Sequence, residues 1–93
     1  MNNMINTAVI FAPGFEEIEG LTIVDILRRA TIETTMIGVG TQEITGAHDI
    51  TIKTDKLLDD LDINETDALI LPGGSPGFIT KPFFQFPIRR VST

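Results

Sequence analysis

Three stretches of this sequence hold residues whose types and spacing could do chemistry: Glu16-Glu17-Ile18-Glu19, Gly46-Ala47-His48-Asp49 and Pro72-Gly73-Gly74. Consecutive glycines after a strand let backbone N–H groups point at a bound anion. Glycines also simply end strands, and a short glycine motif leaves both readings open. The three glutamates sit where a helix would begin, and carboxylates there suit the positive end of the helix dipole. By itself that describes a solvated first turn. A lone histidine changes charge near neutral pH, but His48 reads as a structural residue, and nothing near it in the sequence offers metal-ligand company. The sequence contains no cysteine, which excludes disulfides, thiolate metal sites and a cysteine nucleophile within it.

The elements that must position these residues follow from pattern. Ala8-Val9-Ile10-Phe11 is a short apolar run of the kind buried on both faces of a parallel sheet. Ala12-Pro13-Gly14-Phe15 breaks it. From Ile18 the apolar residues Leu21, Val24 and Leu27 recur at near-helical spacing, with Arg28 and Arg29 in the last turn, where cations are favoured. Glu16 and Glu17 are expected as surface carboxylates, and Asp25 as an interface or packing polar group. Ile32 to Val39, rich in β-branched residues and closed by Gly40, predicts a second strand. Strand, helix and strand in this order make a βαβ unit and imply parallel pairing.

Glu43-Ile44-Thr45 and Ile50 to Thr54 read as two short strands around a turn. Asp55 is placed to cap a short turn at Lys56-Leu57-Leu58. Leu57, Leu58, Leu61 and Ile63, set among Asp59, Asp60 and Asp62, form an amphipathic connection. Asp67-Ala68-Leu69-Ile70-Leu71 is apolar enough for a central strand and ends at the Pro-Gly-Gly turn. Both glycine-bearing loops then lie at carboxyl ends of strands, the edge where open α/β sheets hold their chemistry. Gly73-Gly74 is not followed by Lys-Ser/Thr, so it is no phosphate loop, and the first strand lacks the dinucleotide fingerprint. No cofactor and no metal is expected.

Ninety-three residues allow one small domain. A net charge of −6 argues against nucleic-acid binding, and no run is long enough to span a membrane. The expected location is cytoplasmic. All thirteen acidic residues lie at or before Asp67, whereas Lys81, Arg89 and Arg90 follow it and Phe78, Phe83, Phe84 and Phe86 crowd the same end. That break predicts a boundary between residues 1–79 and 80–93. Pro82 and Pro87 forbid a regular helix across the latter. Two explanations stand for it: a truncated or frame-shifted product, or an aromatic-basic peptide that docks weakly on an acidic partner or membrane surface.

Residues 7–78 resemble the amino-terminal half of the DJ-1/PfpI (ThiJ) family, within the class I glutamine amidotransferase-like superfamily. The likeness lies in Gly14-Phe15-Glu16-Glu17-Ile18-Glu19, in Val24-Asp25-Ile26-Leu27-Arg28-Arg29-Ala30, in His48-Asp49 of the hairpin, and in Asp67 to Gly74. The Glu-Glu-x-Glu form looks closer to the deglycase and glyoxalase branch than to the protease-named one. The resemblance implies an α/β, flavodoxin-like three-layer parallel sheet, here truncated.

It implies roles as well. Glu19 matches the active-site glutamate that exchanges a proton with the catalytic cysteine or the substrate. Gly73 and Gly74 match the backbone donors to a developing oxyanion. His48 stands where many relatives carry an arginine that buttresses the site near the dimer contact. The substrates implied are small reactive aldehydes such as methylglyoxal, or early glycation adducts of proteins, in a stress-response setting. The implied partner is a second copy, through the first helix, or a full-length relative. The family's cysteine lies beyond the Pro-Gly-Gly turn, in a segment with no match here, so turnover by this chain alone is not expected. A sheet lacking that segment is expected to leave the strand Ala68–Leu71 a bare edge and the isolated chain marginally folded.

Overall fold

Strand β1, Asn6–Phe11, is buried from Thr7 onward because it has neighbours on both sides and cover on both faces. It pairs in parallel with β2, Glu33–Gly38, with Val9 opposite Met36 and Phe11 opposite Gly38. On its other side it pairs in parallel with the last strand, β6 (Ala68–Ile70), with Ala8 opposite Leu69. The computed structural model describes residues 5–73. Between β2 and β6 the chain forms β3 (Glu43–Thr45), β4 (Thr51–Lys53) and β5 (Lys56–Leu57), and helix α1, Glu17–Arg29, joins β1 to β2. The four-stranded sheet runs β5-β2-β1-β6, while β3 and β4 make a separate antiparallel hairpin.

Side chains alternate across a strand, so β1 feeds two cores. Val9 and Phe11 join Phe15, Val24 and Ile44 on the side of α1 and the hairpin, with Leu21, Leu27 and Met36 packed around them. The Phe11 and Phe15 rings meet edge to face, with centroids 4.8 Å apart and planes 79° apart, the arrangement the ring quadrupoles favour. Ala8 and Ile10 point the other way and meet Ile37, Leu58, Leu61 and Leu69. A one-residue slip in the pairing would exchange these two sets, which is why the register is determined.

The βαβ unit, the hairpin and the amphipathic connection stand as expected. Two local expectations need correction. Asp55 caps nothing. Its carboxylate accepts a hydrogen bond from the Met36 N–H at 2.8 Å and pairs with Arg28 at 3.1 Å, and Arg28 also donates to the Thr34 carbonyl. Lys56-Leu57 is accordingly drawn out as the short strand β5 beside β2 rather than coiled into a turn. The coiled residues come one step later, at Leu58–Asp60 and Ile63–Glu65, and the capping aspartate is Asp62, which accepts from the Asn64 N–H.

The second correction concerns the central place read from the apolar run of β6: it is the end strand of the described sheet, the position that the bare-edge expectation gave it, and β1 holds the central place. Ala68 is buried, whereas Leu69 and Ile70 are only half-buried. One face of the sheet carries α1. Among the described residues the opposite face is covered by Leu58 and Leu61 of the short coiled segment rather than by a second helix. The expectations for residues 80–93, and for Gly74, lie outside the described residues.

Candidate active site

β1 and β6 run parallel side by side, so their carboxyl ends come out at the same edge of the sheet. β1 leads there into the loop 12–16 and the first turn of α1; β6 leads into Leu71, Pro72 and Gly73. The two segments are joined directly, because the Glu16 N–H donates to the Gly73 carbonyl at 2.8 Å. Glu19, one turn into α1, lays its carboxyl group against the same glycine. A methyl group built on Gly73 would stand 2.8 Å from Glu19 Oε1. With no side chain on Gly73 the Glu19 carboxyl group can lie here without moving aside. The structure therefore brings Glu19 and Gly73 together, with Glu19 exposed to solvent.

The expectation that Glu16 and Glu17 are surface carboxylates fails for Glu17, and Glu16 is half-buried. Glu17 is 3% exposed. Its Oε2 accepts hydrogen bonds from the backbone N–H of His48 at 2.6 Å and of Ile50 at 3.3 Å. Its Oε1 lies 2.8 Å from His48 Nδ1, and since a carboxylate only accepts, that nitrogen carries the proton. Gly46 clears the space: a methyl group there would meet the Glu17 carboxyl at 2.5 Å. Burial pushes the Glu17 carboxyl up, but the His48 side chain and the backbone N–H groups of Glu17, His48 and Ile50 outweigh it and hold it at about 2. In return, the hydrogen bond to Glu17, its charge and that of Glu16 raise His48 above its ordinary value.

His48 is thus not without carboxylate company. Donor atoms of Glu16, Glu17 and His48 lie within 4.8 Å of one another. Both oxygens of Glu17 already accept from N–H groups, and the arrangement is that of a charge-assisted hydrogen bond rather than an open ligand set. The signal for this lay in the helix itself. The buried residues of α1 are Glu17, Gly20 and Val24, and stepping back seven positions from Val24 along the inward stripe lands on Glu17. Asp25 is exposed in this chain and pairs with Arg29 at 3.1 Å, so of its two expected roles the packing one is not met.

A parallel sheet with a helix crossover, holding a glutamate against a glycine turn at the carboxyl ends of its strands, defines an α/β protein of flavodoxin-like fold. The chain belongs to the DJ-1/PfpI family, whose pattern it matches over residues 6–82. It is 39% identical over 70 residues to the protein dj-1beta of Drosophila melanogaster, covering 74% of this chain and 37% of that protein. It is 33% identical over 66 residues to a deglycase of Thermococcus kodakarensis, covering 71% of this chain and 40% of the relative. The crystal structure of Drosophila DJ-1beta superposes with a TM-score of 0.74 at 34% identity, over 77% of this chain and 39% of that one. The chain therefore spans roughly two-fifths of the length of these relatives.

Proposed function

We propose that this chain carries the glutamate-and-glycine half of a site for small reactive aldehydes or early glycation adducts, without the thiol that completes it. The observation behind this reading is the contact between Glu19 and Gly73. Attack on an aldehyde needs a nucleophile, a proton donor and a place for the negative oxygen. Glu19 is suited to hold or deliver the proton, and the turn after β6 to receive the oxyanion. A relative named as a deglycase supports the substrate class. The sequence holds no cysteine, so the attacking group must come from elsewhere. Methylglyoxal consumption by the purified chain tests this: no turnover is expected, and turnover that Glu19→Gln abolishes would show a complete site.

A second reading, a non-catalytic interaction protein, has its own support. Ile18 is 81% exposed and Ile26 57% exposed on α1, and with Thr22 between them they share a face at i, i+4 spacing. Such an apolar strip suits pairing with a second copy or with a full-length relative. Sedimentation of the wild type against Ile18→Asp decides: loss of a dimer in the variant supports this reading, and a monomeric wild type removes it.

A further inference from the structure

The first turn of α1 is held from two directions. On one side lies the turn after β6, reached by the Glu16 N–H and by the carboxyl group of Glu19. On the other lies the hairpin turn 46–50, gripped by the buried carboxylate of Glu17. Backbone bonds sew the same segments together: Gly14 N–H to the Thr45 carbonyl at 2.9 Å and Ala47 N–H to the Phe15 carbonyl at 2.8 Å. The hairpin turn, the helix entry and the Gly73 turn thus form one continuous chain of short contacts.

We propose that Glu17 and His48 form a proton-dependent latch that sets the position of Glu19 against Gly73. Glu17 is a positioning residue in it, since its carboxylate touches only the hairpin. The latch gives regulation to the half-site described above and rests on that reading for its functional meaning. The coupling itself is a property of this chain and needs no turnover to measure.

The physical basis is the unequal burial of the pair. The Glu17 side chain is 4% exposed and that of His48 69%. A buried carboxylate depends on its donors, and a donor that is itself charged makes a bond roughly twice as strong as a neutral one. When His48 loses its proton to solvent, the Nδ1–H tautomer can still reach Oε1, but the charge is gone. Glu17 then rests on an uncharged ring donor and on the His48 and Ile50 N–H groups, one of them at 3.3 Å. Among the described residues the ionisable groups set against His48 are Glu16 and Glu17 from the helix start, and Asp49 is its neighbour in the chain. All three are acidic, so nothing among them opposes the protonated state. Because Glu16 and Glu17 are adjacent and Glu16 is bonded to Gly73, slack in the turn 46–50 is passed to the helix entry and on to Glu19. Coupling of this sort requires a contiguous network and a measured response at its far end.

His48 is the sole histidine, so its imidazole signals in a magnetic-resonance titration are unambiguous. The test follows the His48 ring, the Gly73 amide and the Glu19 carboxyl carbon of the full chain from about pH 5 to about pH 9. Expected is a His48 midpoint above its ordinary value of 6.5, with a second inflection in the Gly73 and Glu19 signals at that same midpoint. Glu17→Gln should return the His48 midpoint toward 6.5 and His48→Asn should remove the inflection; the latter keeps a neutral donor and needs no charged partner. Gly73 and Glu19 signals that ignore the His48 midpoint would overturn the latch, as would a His48 midpoint at or below 6.5. Neither result would touch the aldehyde reading, which is judged by turnover.

Discussion

Glu17 and Glu19 stand two residues apart on the same helical turn and live in opposite conditions. Glu17 is enclosed by the hairpin, with every oxygen engaged and a glycine, Gly46, making room for it. Glu19 is open to solvent and also rests on a glycine, Gly73. A helix turns about 100° per residue, so two steps carry the side chain to nearly the opposite face. The lesson is that enclosure with complete hydrogen bonding marks a carboxylate that holds the fold. An exposed carboxylate set against a bare backbone turn has no such task in the fold, which is what the proposed half-site asks of Glu19.

The sharpest way to break this contrast is truncation of each residue in turn. Glu17→Ala strips the acceptor from two backbone N–H groups and His48, and should lower the thermal unfolding midpoint more than any other single change at the site. Glu19→Ala should alter stability by less than about 0.5 kcal/mol. Equal losses in calorimetry would erase the distinction. The two glycines provide a finer test. Gly46→Ala drives a methyl group into a carboxylate fixed by three bonds, and urea unfolding should show a loss of about 1–3 kcal/mol. Gly73→Ala meets only the end of an exposed side chain that can swing away, and should cost clearly less.

Acidity sharpens the comparison further. Glu17 is depressed from 4.5 to about 2, so its contribution is complete above about 4.5 and is lost as pH falls through about 2. His48 is raised above 6.5, so its contribution is complete below 6.5 and is lost as pH rises through the raised value. The thermal midpoint should therefore peak between about pH 4.5 and pH 6.5, and His48→Asn should flatten the alkaline limb and, by removing the ring donor that holds Glu17 low, move the acid limb to higher pH. Smallest of all is Asp25→Asn, which breaks the exposed pair with Arg29. It should change stability by about 0.3–0.5 kcal/mol, and less in high salt.

The local order of the chain was legible wherever a single periodicity held. Ala8 to Phe11, the βαβ unit and the hairpin with Ile44 opposite Ile52 all follow from alternation and turn residues, because each element's neighbours lie close in sequence. The resemblance also pointed to Glu19 and Gly73, and the structure sets these two residues side by side. The sequence was silent where a residue's partner is remote. Asp55 looked like a cap, since nothing local shows that the Met36 N–H and Arg28 would claim it. The apolar run at Ala68 suggested a central strand, yet strand order is decided by which edge a strand joins.

By itself, then, the amino-acid sequence determined the elements, their faces and the family, because short-range periodicity and turn chemistry are carried within a few residues. Helix periodicity points Glu17 inward, but only the tertiary structure decided that it grips the hairpin as a buried anchor while Glu19 stays an open group. That choice depends on a hairpin thirty-one residues away closing over the helix entry, and no local pattern encodes the distance between them.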